Sequence, residues 1–152
     1  MRIFKFIEIN VSIIYTLSYI LILLQPCQGG GGTVSRIPVI LEISNKGFAQ
    51  CEIIRHLSPL SVRIILKRLP LQDRVHKFAD KFAYIETGLM IGAEKQQTRF
   101  KRGDIAYMTA NGSLCIFIKD SIVMPMNPIG IIKSNLELIE FAQTGDVALL
   151  RK

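Results

Sequence analysis

Little in this chain of 152 residues suits a metal centre or a disulfide framework. Its three cysteines, Cys27, Cys51 and Cys115, form no C-x-x-C pair, and only His56 and His76 could join them around an ion. Such an odd, scattered set of thiols reads as small buried hydrophobes in a reducing compartment. Neither a metal nor a cofactor is expected. Internal repeats and low-complexity tracts are also lacking after Gly32, so the domain is not a repeat array.

Acidic residues are scarce, 12 against 19 Lys and Arg, for a net charge of +7. Two of the basic residues (Arg2, Lys5) and one acidic residue (Glu8) precede the main domain, leaving it 17 basic and 11 acidic. That excess favours solubility and weak attraction to anions, and it carries no information about fold. Six basic residues lie between Arg63 and Lys81, interrupted by Asp73 and Asp80. Binding a phosphate backbone would need them on one surface with aromatic groups beside them, and only Phe78 and Phe82 are near. The stretch reads as a solvated basic face, and nucleic acid is not the expected partner.

Hydrophobic residues make up 49% of the chain, with a mean hydropathy of +0.34. Much of that lies at the start, where Val11 to Leu24 carries no charge. Three readings of residues 1–33 stay open. A basic start, an apolar stretch and Cys27 resemble a signal peptide or, more weakly, a lipid-modified leader. As a membrane anchor the uncharged run of 14 residues is short of the roughly 20 a spanning helix needs. In the preferred reading the segment is an over-extended gene start. Gly29 to Gly32 would be a translated ribosome-binding site, and Val34 a GTG start codon. The domain would then be cytoplasmic; otherwise it is membrane-anchored or exported, and a membrane is a partner only if the segment is real.

From Val34 to Lys152 the pattern is that of one small β-rich domain. Ile37 to Ser44 alternates apolar residues with a period of two, Asn45-Lys46-Gly47 turns, and Phe48 to Ile54 resumes, which predicts a hairpin. Ser58-Pro59 opens a helix, serine as N-cap and proline at the first position. Val62, Ile65, Leu66 and Leu69 form its buried stripe, and Pro70 ends it. Residues 71–81 read as a basic loop, and Lys81 to Glu86 and Leu89 to Gly92 as strands. Glu94 to Arg102 reads as exposed and polar. Ile105 to Thr109, Leu114 to Ile118, Ile129 to Lys133 and Val147 to Leu150 read as strands, Asn111-Gly112 being a strong turn dipeptide. Ser134 to Glu137 has capping-box spacing and opens a second helix through Phe141. Many short strands with one helix early and one late predict a mainly β fold. The expected form is a closed antiparallel barrel capped by two short helices.

Several segments resemble the cyclophilin fold. Ser58-Pro59-Leu60-Ser61-Val62 is similar to an Ala-Pro-Lys-Thr-Val helix start. Ala106 to Ile118 resembles the Ser-Met-Ala-Asn … Asn-Gly-Ser-Gln-Phe-Phe-Ile stretch. The small prokaryotic cyclophilin-like branch matches better, through Gly103-Asp104-Ile105-Ala106-Tyr107, Ser113-Leu114-Cys115-Ile116-Phe117-Ile118 and Asn127-Pro128-Ile129-Gly130. The resemblance covers Ile37 to Lys152 and implies a prolyl-peptide site.

Prolyl isomerisation faces a barrier of about 20 kcal/mol. Cyclophilins lower it with an arginine, a glutamine and an apolar pocket. Their Phe-His-Arg segment falls on Phe82-Ala83-Tyr84, so a phenol stands in the arginine position. The glutamine position is Leu114, and a pocket phenylalanine is Ile116. Carried over residue by residue, the implied groove comprises Tyr84, Leu89, Met90, Thr109, Ala110, Leu114 and Ile116. A tyrosine hydroxyl lacks the charge and forked geometry of a guanidinium, and losing a preorganised charged donor costs on the order of 10²-fold in rate. The resemblance therefore points to a peptide or small ligand bound in an apolar groove with little or no isomerase activity. A divergent isomerase using Tyr84 and a basic nucleic-acid accessory protein are the alternatives. Taken singly, Met90 and Met108 read as strand core, Cys115 as buried and inert, His76 as a solvated loop histidine and His56 as structural.

Overall fold

A computed structural model describes residues 35–152, and the readings of residues 1–33 lie outside it. The described residues are mainly β: one large antiparallel sheet and two short helices. The strands are β1 (Arg36–Ile43), β2 (Gly47–Ile54), β3 (Leu71–Arg74), β4 (His76–Phe78), β5 (Phe82–Glu86), β6 (Gln97–Phe100), β7 (Asp104–Met108), β8 (Ser113–Phe117), β9 (Ser121–Ser134) and β10 (Val147–Arg151). The helices are α1 (Pro59–Arg68) and α2 (Glu137–Phe141), and a 3-10 turn spans Arg55–Leu57. Among the described residues no helix is long and apolar enough to cross a membrane.

The sheet runs β3-β10-β1-β2-β9-β7-β8-β5-β4, with β6 paired to β9. The expected closed barrel is not formed, because the hydrogen-bonded path has two free edges. Those edges, β3 and β4, are nevertheless consecutive in the chain, with only Val75 between them. The sheet must therefore curl until its ends meet, and a covalent link stands where a ladder would close it. Val75 N–H donates to the Asp146 carbonyl (2.7 Å), and the Val75 carbonyl accepts from Gly145 N–H (2.9 Å). Asp73 Oδ2 accepts the Glu86 N–H at 2.9 Å, tying β3 to β5.

The curl encloses the main core. Val39, Leu41 and Ile43 of β1, Ile53 of β2, Ile129 of β9 and Leu150 of β10 all point into it. Val62 and Ile65 of α1 are fully buried against it, and Leu66 and Leu69 pack at its margin, as the helical stripe predicts. Gly130 permits the close approach of β9 to β2. A Cβ there would lie 2.0 Å from the Glu52 carbonyl oxygen, so no side chain fits.

Five local expectations are corrected. Residues 71–81 hold the two edge strands, which are short and polar and so lack an apolar alternation. Leu89 to Gly92 is not a strand, since its polar groups bond side chains instead of a ladder. The polar stretch after Glu94 contains β6, which buries Phe100. Finally, β9 is 14 residues long and runs through both Pro125 and Pro128, the latter at a register shift opposite Ala106. Proline is tolerated in strands at such irregularities. The Ser134 capping box is also absent: Ser134 ends β9, and α2 starts after Leu136 without a side-chain cap.

Candidate functional site

Alternation along β5, β7 and β8 gives this part of the sheet two faces. Ala83, Ile85, Ile105, Tyr107, Leu114 and Ile116 point into the main core. Phe82, Ala106, Met108, Cys115 and Phe117 point outward and form a second cluster with Phe100 of β6 and Met126 of β9, with Tyr84 at its margin.

The outer face is built on aromatic rings in contact. His76 stacks on Tyr84 with centroids 5.1 Å apart and planes 23° from parallel. Phe78 stacks on Phe82 at 5.1 Å. Phe82 in turn meets Tyr84 at 6.0 Å and Phe117 at 5.2 Å, both tilted. Phe117 stacks on Phe100 at 4.7 Å. Offset and tilted pairs of this kind each add about 0.5–1.5 kcal/mol beyond area burial. The row is buried at its Phe100–Phe117 end and open at the β4 edge, where Phe78 is 49% exposed and His76 and Tyr84 are half-buried. Asp73 Oδ2 lies 4.0 Å from His76 Nε2. In the β4–β5 turn, the hydrogen bond from Lys119 holds the Asp80 carboxyl below its usual range.

The seven groove positions do not share one surface. Tyr84 is paired with Cys115, whereas Leu114 and Ile116 are paired with Ile85 and Ala83. Tyr84 therefore stands on the outer face, and Leu114 and Ile116 stand inside the main core. Leu89 is buried with them. Met90 is 97% exposed, so the core reading of that methionine is corrected, whereas Met108 is buried in the second cluster. Thr109 and Ala110 occupy the β7–β8 turn, half-buried and exposed. His76 is likewise not a solvated loop residue but the ring that covers Tyr84. No Arg or Lys is found among the outward residues of β4, β5, β7 and β8, which are His76, Phe78, Phe82, Tyr84, Glu86, Asp104, Ala106, Met108, Ser113, Cys115 and Phe117.

The segment that carries Leu89 and Met90 is pinned at both ends. Tyr107 Oη donates to the Leu89 carbonyl at 2.5 Å, and Thr87 Oγ1 donates to the Gly112 carbonyl at 2.7 Å. Gly112 has a φ of +69°, and a Cβ there would meet the Leu89 oxygen at 2.8 Å, so the turn requires glycine twice over. At the far end Asn127, fully buried, accepts the Glu94 N–H (2.9 Å) and donates to the Gly92 carbonyl (2.9 Å) and Ser61 Oγ (3.0 Å). The Glu94 carboxylate accepts the N–H groups of Leu60 (3.0 Å) and Ser61 (2.8 Å) and the Ser61 hydroxyl (2.8 Å). Glu94 thus does the capping expected of Ser58, whose own hydroxyl points to the Glu94 carbonyl. Partial burial raises the carboxyl, but these donors and Lys95 outweigh it and hold Glu94 below its ordinary value.

No nucleophile emerges from the thiols. Cys115, paired with Tyr84 across β5 and β8, and Cys51 in the main core are both buried, and burial pushes each thiol up to about 12. The sequence reading missed the ring row and the Glu94–Asn127 pin. The rings leave a period-two signal, Phe82-x-Tyr84 and Cys115-x-Phe117, that marks a second apolar face. The pin leaves none, because its members come from three separate segments.

The domain is thus a curled antiparallel sheet with an early helix on its core and an aromatic outer face. The profile of the cyclophilin-like family matches residues 58–150, and the chain belongs to that family. Among solved structures, the hypothetical protein AF2241 from Archaeoglobus fulgidus is similar with a TM-score of 0.67 at 20% identity. That match covers 81% of this chain and 98% of AF2241. The complex of McbB with tryptophan is similar with a TM-score of 0.62 at 11% identity. It covers 75% of this chain but only 44% of McbB. At these identities the likeness is one of fold. No curated protein sequence matches the chain.

Proposed function

We propose that this domain binds a peptide or small ligand at the open end of the outer aromatic face, with little or no prolyl isomerase activity. The observation that carries the reading is the composition of that face: rings at contact distance, and no cationic side chain where an isomerase needs its donor. Tyr84 supplies one neutral hydroxyl, which can orient a ligand but cannot stabilise a twisting amide as a guanidinium does. Of the seven groove positions, Tyr84 lies on that face and is the contact proposed, whereas Met90 reaches the surface in the segment after β5, and Thr109 and Ala110 in the β7–β8 turn. Leu89, Leu114 and Ile116 belong to the main core and are not proposed as contacts. The tryptophan complex of McbB, a fold neighbour, adds support for small-molecule binding by this architecture.

A thermal-shift screen of the whole chain against proline-containing peptides and aromatic small molecules tests this, because a ligand of the native state raises its stability. A hit should lose its effect in Phe78→Ala, which removes an exposed ring and spares the core. Hits that shift the variant equally would contradict the reading.

A further inference from the structure

Away from the aromatic face, Lys46 in the β1–β2 turn lines two hollows. The larger, about 570 Å³, is bounded by Asn45, Lys46, Phe48, Gln72 of β3 and Leu149 of β10. The smaller, about 300 Å³, lies between Lys46, Asn135, Glu137 and Phe141. Both present an exposed ring, Phe48 at 49% and Phe141 at 73%. Glu137 and Phe141 are four residues apart on α2, so they share one face of it.

The polar groups around Lys46 divide into those already used and those left over. The Lys46 ammonium donates to Asp146 Oδ2 at 2.7 Å and to the Phe141 carbonyl at 3.3 Å. It has three donors, so one remains, and the other two fix its direction. Arg151 satisfies Glu42 through Nε (3.0 Å) and Nη2 (2.6 Å). The amides of Asn45 and Gln72 and the carboxylate of Glu137 make no side-chain hydrogen bond or ion pair among the described residues. Lys46 keeps one N–H beside Asp146, Glu42 is held by Arg151, and Glu137 is the carboxylate of the lining with no ion partner among the described residues. A simple anion would meet Lys46 but be repelled by Glu137. A zwitterion can meet both, its carboxylate sharing the Lys46 ammonium with Asp146 and its ammonium group pairing with Glu137.

We propose that the surface around Lys46, with the two hollows it lines, binds a free amino acid with an aromatic side chain. Its carboxylate is received by the third Lys46 N–H and the free amides, its ammonium group by Glu137, and its ring by Phe48 or Phe141. Titrating the full chain with phenylalanine, 3-phenylpropionate and phenethylamine, read by backbone amide shifts, tests this. Phenylalanine should give saturable shifts at Lys46, Phe48 and Phe141, and each probe lacking one charge should bind about tenfold more weakly, or about 1.4 kcal/mol. Lys46→Met should abolish binding, although it also breaks the Asp146 pair. Glu137→Gln disturbs no contact of the fold and is the cleaner variant: it should erase the preference for phenylalanine over 3-phenylpropionate. The proposal is overturned if the preference survives in that variant. It is overturned equally if shifts fall only at His76 and Tyr84, or if none saturates by about 10 mM, beyond the weak end of specific binding.

Discussion

Glu94 Oε1 accepts the backbone N–H of Ser61 at 2.8 Å across 33 positions of sequence, and so a loop residue caps a helix that begins elsewhere. The consequence is mechanical as well as local, because the same loop presents Met90. Replacing Glu94 with Ala should cost about 1–2 kcal/mol, the range for losing a helix cap, read as a lower denaturant midpoint. Hydrogen exchange should rise at Leu60, Ser61 and the amides of residues 90–94 before it rises elsewhere in the domain.

The same carboxylate sets part of the acid limb of stability. Its folded pKa lies below the ordinary glutamate value of 4.5. Its contribution is therefore complete above that value and is lost as pH falls through the lower folded value. Denaturation midpoints of the native chain should decline below about pH 4.5 more steeply than those of Glu94→Gln, in which this group no longer titrates. Parallel curves for the two proteins would contradict the assignment.

Gly130 is tested by the smallest possible change. Gly130→Ala drives a methyl group into the Glu52 carbonyl, so β2 and β9 must part. Because the clash is with backbone rather than a flexible side chain, a loss of about 3 kcal/mol or more is expected, at the upper end of overpacking effects. A variant with native stability would show that the strands have room to separate.

How far the sequence carried these conclusions differs by element. The β1–β2 hairpin and α1 were legible because their apolar residues follow a single period over eight residues or more. Family membership was legible in the strands from Asp104 to Phe117, where residue types and turn chemistry coincide. The strands β3, β4 and β6 were not, since they are three or four residues long and mostly polar, and tertiary pairing rather than local preference makes them strands. The groove was misjudged for a related reason. An ungapped alignment preserves residue order but says nothing of face, and in a sheet a one-residue offset sends a side chain to the opposite side. Tyr84 and Leu114 were aligned as neighbours in one groove, whereas the pairing of Tyr84 with Cys115 separates them.

The thiols offer a check on the two cores. Cys51 and Cys115 are buried, with titration pushed up to about 12, and the thiolate is the reactive form. Iodoacetamide at about pH 8, below the ordinary thiol range, should leave both unmodified in the native chain and label both after unfolding. Rapid native labelling of Cys115 would mean that the ring row opens readily.

The central claim is that the outer face binds without catalysing prolyl isomerisation, and a proline-peptide isomerisation assay on the purified chain tests it most directly. The account predicts a rate indistinguishable from the uncatalysed reaction for the native protein and for Tyr84→Phe alike. Clear acceleration by the native chain, abolished by Tyr84→Phe, would contradict it and make Tyr84 the donor of a divergent isomerase.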